Sequence, residues 1–136
     1  MRKIAFVSAL ALTLIVASCK KGPGEGGRSK IAGKIWVENY NTLNHMYDTY
    51  ELRSEYAGAD RDVYLIFGDD ISYGMKTKSG PDGRFEFDYL RQGDYTVYVE
   101  SKDTTRTSVS GITSMKVGVS LGKKETGDAG TIVVYN

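Results

Sequence analysis

Residues 77–100 read TKSGPDGRFEFDYLRQGDYTVYVE, and their spacing decides the fold. Phe85 and Phe87 alternate with Arg84, Glu86 and Asp88; Tyr95, Val97 and Val99 alternate with Thr96, Tyr98 and Glu100. A period of two belongs to a strand with one buried face. Ser79-Gly80-Pro81-Asp82-Gly83 carries Pro, Asp and Gly in the order tight turns use, and Arg91-Gln92-Gly93-Asp94 separates the two strands. Leu90 is placed to plug the corner where the chain changes sheets. Gly93 permits a positive φ there. Tyr95 enters the next strand as a tyrosine corner would, with its hydroxyl free to bond backbone at the bend. These residues read as core.

The same period extends outward. Ile31, Gly33, Ile35 and Val37 alternate with Lys30, Ala32, Lys34 and Trp36. Val63, Leu65 and Phe67 alternate with Tyr64 and Ile66, which predicts a strand buried on both faces. Met115, Val117, Val119 and Leu121 predict another strand, and Thr131–Tyr135 a last one. Ile71 to Lys76 is a weaker strand, expected to form a hairpin with Arg84–Tyr89. Residues 39–56 mix periods: Leu43, Met46, Tyr47 and Tyr50 have helical spacing, whereas Tyr50, Leu52, Ser54 and Tyr56 have strand spacing. A loop to about Asp48 and a strand to about Ala57 are expected. Strands at roughly 8–12-residue spacing without a helical pattern predict an all-β sandwich of about seven strands.

The motifs carry a family resemblance. Ile31, Gly33 and Ile35, then Val63 and Leu65, then Gly83, Phe85, Phe87, Leu90, Gly93, Tyr95, Val97 and Val99 stand at the spacing of the carboxypeptidase regulatory-like domain. That is a Greek-key, transthyretin-like or Ig-like β-sandwich, also close to collagen-adhesin B repeats. The resemblance covers roughly residues 31–135 and implies a non-catalytic module. The long 39–62 stretch departs from the family's first connection, and is the natural place for a function private to this chain.

The N-terminus has a basic Met1-Arg2-Lys3, an apolar run from Ile4 to Val16, then Ala17-Ser18-Cys19. These are the parts of a secretory signal over residues 1–18. The apolar run is shorter than the about 20 residues a spanning helix needs. Val16-Ala17-Ser18-Cys19 resembles the lipobox of bacterial lipoproteins, in which Val16, Ala17 and Ser18 are read by the signal peptidase and the Cys19 sulfur is acylated. The Cys-Lys-Lys start is similar to lipoproteins of Gram-negative anaerobes. The resemblance implies a diacylglyceryl and palmitate-type anchor in the outer membrane, on its periplasmic or cell-surface face. Residues 19–30, rich in Gly, read as a flexible tether between lipid and a sandwich over 31–136. Lys20 and Lys21 would lie at the headgroups.

Composition narrows the chemistry. Of 136 residues, 26% are charged and 40% hydrophobic, which fits a folded body. The net charge of +1 is far from the basic field a nucleic-acid binder needs. One Cys rules out an internal disulfide framework, and one His, His45, gives neither a multi-His metal cage nor a triad. No catalytic residue, metal site or cofactor is expected. Asp60, Asp62, Asp69, Asp70 and Asp82 are loop carboxylates of the kind calcium uses, but no D-x-D-x-D-G order appears. Related adhesin repeats join a Lys and an Asn through an isopeptide bond. Lys34, Glu100 and Asn136 would be the residues here, although Lys34 falls on the polar face of its strand.

Aromatic binding is the remaining chemistry. Trp36, Tyr40, Tyr47, Tyr50 and Tyr56 cluster around the long stretch, and exposed rings stack on sugars and anchor protein interfaces. The expectation is a non-catalytic, lipid-anchored envelope module presenting loops to a protein or glycan partner. The rival readings are an envelope enzyme of unrecognised type and an adhesin-like module with the isopeptide bond.

Overall fold

The computed structural model describes residues 21–44 and 49–136. The described residues form eight strands and no helix: β1 (Glu25–Asn44), β2 (Thr49–Ala57), β3 (Asp62–Phe67), β4 (Met75–Lys78), β5 (Arg84–Leu90), β6 (Gly93–Lys102), β7 (Ile112–Leu121) and β8 (Thr126–Tyr135). They make two four-stranded sheets packed face to face, an open all-β sandwich as the alternation predicts. In the first sheet β1 is the spine. One of its edges pairs in parallel with β8 over residues 30–38. Its other edge takes β5 over residues 25–34 and then β2 over residues 36–44, both antiparallel. The second sheet has the order β4-β3-β6-β7.

The inward members of each alternation meet between the sheets. Ile31, Ile35 and Val37 from β1, Phe85, Phe87 and Leu90 from β5, and Ile132 and Val134 from β8 pack on Val63, Leu65, Val97 and Val99. Burying each such side chain contributes about 1.5–3 kcal/mol. Leu90 is fully buried at the crossing from the first sheet to the second. Gly83 (φ +79°) and Gly93 (φ +144°) take backbone angles that a side chain resists. The Tyr95 hydroxyl, 2.7 Å from the Arg91 carbonyl, donates to it and closes the corner.

Four expectations are corrected. Ser79–Gly83 is not a hairpin turn: β4 and β5 lie in different sheets, so this segment carries the chain across the sandwich. Buried Ser79 fixes it by donating to the Gly58 carbonyl and accepting the Arg61 amide. β4 itself starts only at Met75, because residues 68–74 turn and Ile71 stands fully exposed. The β3 strand is buried on one face alone, with Tyr64 and Ile66 half-buried on the other. And β1 continues to Asn44, into the stretch where a loop to Asp48 was expected. Its far half forms a two-stranded ribbon with β2 that runs past the second sheet, which is why Leu52 stays 43% exposed.

The start of the domain also differs from the tether expected over residues 19–30. β1 begins at Glu25, and Ser29 is buried, with its hydroxyl donating to the Gly122 carbonyl at 2.7 Å and accepting the Glu125 amide at 3.0 Å. The Arg91 guanidinium donates to the carbonyls of Gly22, Pro23 and Glu25. Gly-rich sequence here serves close approach: a Cβ on Gly27 would fall 1.9 Å from the Leu90 carbonyl oxygen. The lipobox residues Val16, Ala17, Ser18 and Cys19 lie outside the described residues, as do His45 and Tyr47.

Candidate functional site

Of the aromatics singled out in the sequence, Trp36, Tyr40 and Tyr56 do not share one surface. Trp36 is outward on the first sheet, between Ala57 of β2 and Val133 of β8. Its Nε1 donates to the Glu55 carboxylate at 3.3 Å, and Lys34 Nζ stands 5.3 Å from its ring centroid. Tyr40 shares that side past a register shift: its hydroxyl donates to Glu38 at 2.9 Å and its ring lies 5.9 Å from Tyr135. Tyr56 pairs with inward-facing Val37, so it points to the opposite face of the sheet. There it is 42% exposed, and its hydroxyl accepts Asn136 Nδ2 at 3.3 Å. Tyr50 belongs to β2, paired with Thr42. Trp36 and Tyr40 therefore stand on one face of the first sheet and Tyr56 on the other.

The residues of the rival isopeptide reading lie apart. Lys34 pairs with Thr131 and sits over Trp36. Asn136 bonds farther along β1, at the Glu38 carbonyl. Glu100 is exposed on the second sheet, outward in the β6 alternation. The three groups do not meet.

A denser aromatic group lies on the outer face of the second sheet. Because Val63 and Leu65 of β3 and Val97 and Val99 of β6 face inward, Tyr64 and Tyr98 must face outward. The register then sets them directly opposite each other. Their rings stack with centroids 4.8 Å apart and planes 13° apart. Tyr73, from the β3–β4 connection, leans on the same Tyr64 ring at 4.9 Å and 56°. Tyr64 is thus held between two rings, and Tyr73 remains 48% exposed. Among the described residues none of the three hydroxyls makes a hydrogen bond.

The row continues in both directions. Tyr64 pairs with Lys76 of β4 and Tyr98 with Lys116 of β7. Lys76 Nζ lies 3.0 Å from the Asp62 carboxylate and 5.3 Å from the Tyr64 centroid. The Asp62 hydrogen bond raises the Lys76 pKa, and the same bond lowers that of Asp62. Burial pushes the Tyr98 phenol up. Next to this row Thr96 faces Gly118, whose open side meets nothing within 4 Å. The result is a stiff ridge of three phenols beside a flat floor, with an ammonium at each end. Exposed ring faces take the apolar face of a sugar or another ring, and the free hydroxyls and ammoniums supply polar contacts.

Sequence reasoning missed this ridge. Tyr98 carried a signal as the outward member of its alternation, whereas Tyr64 was expected to be buried, and their pairing depends on register between distant strands. Among the described residues no group of three or more His, Cys, Asp or Glu is gathered to hold a metal ion. Asp60 and Asp62 are instead engaged by Lys78 and Lys76.

No protein-family model matches the chain, and no curated protein matches it. Among solved structures it is similar to a candidate carbohydrate-binding protein of Pseudomonas aeruginosa. The identity is 13%, the TM-score 0.47, and the match covers 83% of this chain and 91% of that one.

Proposed function

We propose that this chain is a binding module of the bacterial envelope, anchored through an acylated Cys19 and offering the Tyr64–Tyr73–Tyr98 ridge to a glycan. The observation that supports the binding surface is the stacked pair of Tyr64 and Tyr98 with Tyr73 braced against it, three phenols whose hydroxyls make no hydrogen bond among the described residues. Rigid rings lose little conformational entropy on binding, so such a ridge suits a weak, stacking ligand. The spacing of Ile31, Gly33, Gly83, Phe85, Leu90, Gly93 and Tyr95 supports a carboxypeptidase regulatory-like sandwich as the scaffold, with signal, anchor and domain in that order. The Val16-Ala17-Ser18-Cys19 sequence supports the anchor.

The deciding experiment is a glycan array probed with the detergent-solubilised mature chain and with Tyr73→Ala and Tyr98→Ala variants. Binding by the parent that drops at least tenfold in both variants supports the reading. No bound glycan, or binding that ignores both substitutions, removes the ridge as the site. A protein partner would then be sought by crosslinking from the same face. For the anchor, a clickable palmitate analogue should label the chain and leave Cys19→Ala unlabelled.

A further inference from the structure

One depression at the end of the sandwich is lined by cations alone among charged residues. Three segments meet there: the start of β1, the β5–β6 corner and the β7–β8 turn. They surround the depression, of about 310 Å³ and lined by Lys21, Arg28, Arg91, Lys123 and Lys124 over the backbone of Gly27 and Leu90. Lys21, Arg28, Lys123 and Lys124 have no carboxylate partner among the described residues. Acidic residues stand around it but not in its lining: Asp88 shares the adjoining depression with Arg28, and Asp69, Asp70 and Asp94 gather beyond Pro23 and Gly93. Glu125 turns its carboxylate to the Gly122 amide, and Glu25, the first residue of β1, is exposed. Arg91 spends its donors on the carbonyls of Gly22, Pro23 and Glu25 but keeps its charge. Five cations and no carboxylate line the depression, so it is a receptor for negative charge.

Its position says which negative charge. Lys21 is two residues from Cys19, and two residues of extended chain span at most about 7 Å. The segment beyond Lys21 has no slack to swing the domain away, since Arg91 and Tyr95 hold Gly22–Glu25 against the corner. A chain anchored at Cys19 must therefore present this end to the bilayer. We propose that the basic end docks on anionic phospholipid headgroups, with lipid phosphate entering the depression between Arg28 and Lys123–Lys124. The proposal rests on the anchor reading and adds to it a second attachment, one that fixes the orientation of the sandwich.

The test uses the mature protein purified from membranes and reconstituted into two kinds of vesicle: phosphatidylcholine alone, or phosphatidylcholine with phosphatidylglycerol. A brief pulse of a membrane-impermeant acetylating reagent is followed by mass spectrometry of each lysine. Docking predicts that Lys21, Lys123 and Lys124 acetylate several-fold more slowly on the anionic vesicles, that high salt removes the difference, and that Lys76 and Lys116 do not change. A Lys123→Ser/Lys124→Ser variant should lose the slowing at Lys21. Equal labelling on both vesicles, with the protein still floating with them, overturns docking and leaves the anchor standing. Protein that floats with neither vesicle overturns both. Flotation with the anionic vesicles alone keeps docking and removes the anchor. Equal slowing by inorganic phosphate on neutral vesicles would assign the depression to a free anion and overturn the membrane proposal.

Discussion

The hydroxyl of Tyr95 accepts the Gly24 amide at 2.9 Å, across 71 residues of sequence. The same oxygen donates to the Arg91 carbonyl at 2.7 Å. One phenol thus ties the entry of the first strand to the corner between the sheets. Tyr95 is only 2% exposed, so removing the oxygen strands a buried amide. Tyr95→Phe should cost about 1–2 kcal/mol, read from the midpoint of urea unfolding. It should also speed hydrogen exchange at residues 22–26 more than at the β6–β7 hairpin. A uniform change would show that the corner and the N-terminal segment are not coupled.

Gly83 sits where β5 and β2 succeed each other along β1. Its carbonyl accepts the Ile35 amide at 2.8 Å, and the Ile35 carbonyl accepts the Gly58 amide at 2.9 Å. With φ at +79°, and a Cβ that would stand 2.4 Å from the Ile35 carbonyl oxygen, Gly83 has no substitute of similar shape. Gly83→Ala should destabilise by at least about 1–3 kcal/mol, the cost of a strained backbone before the clash is counted. Thermal unfolding of the variant checks it. A neutral result would mean that the junction relaxes freely.

Gly118 offers the opposite case. It lies on the outer face beside the phenol ridge, and an added side chain meets nothing within 4 Å. Gly118→Lys should leave the melting temperature unchanged or slightly higher, since glycine is a poor strand residue. It should nevertheless weaken glycan binding severalfold, because the new side chain stands diagonally from Tyr98. Retained binding would move the ligand off the Tyr98 end of the ridge.

Asp103 organises the β6–β7 connection. It accepts the Thr105 hydroxyl at 2.6 Å, the Ser108 amide at 2.6 Å and the Thr105 amide at 2.9 Å. These bonds, led by the Thr105 hydroxyl, hold its carboxyl well below the usual carboxylate range. A lowered folded-state pKa gives stability that is complete above the ordinary value of about 4 and is lost as pH falls through the folded one. Urea midpoints should therefore fall more steeply below about pH 4 for the parent than for Asp103→Asn. Parallel curves would show that this carboxylate does not couple to folding.

Much of the sandwich could be read in the chain. Phe85, Phe87, Tyr95, Val97 and Val99 are all buried as their alternation requires, because a two-layer core selects for that period, and Leu90 is buried at the corner it was expected to plug. What escaped were features set by partners distant in sequence. Glu25–Ser29 has no apolar alternation and is strand because Arg91, Tyr95 and Gly122 bind it. Residues 39–56 mix periods because the β1–β2 ribbon has no second layer to select one. Tyr98 announces an outward face, but only the β3–β6 register brings Tyr64 to it ring to ring. Trp36 and Tyr56, close in sequence, part because neighbouring strands hold them on opposite faces.

The parallel pairing of β1 with β8, from Lys30–Thr126 to Glu38–Tyr135, has a mechanical consequence. A load applied between the start of β1 and the end of β8 pulls the two strands lengthwise past each other. The bonds between them then share the force in shear instead of opening one by one like a zip. If the first end is held by a bilayer, tension toward the far end falls on this seam. Pulling single molecules between residues 21 and 136 should give a higher rupture force than pulling across the β6–β7 hairpin, and equal forces would show that the seam carries no special load.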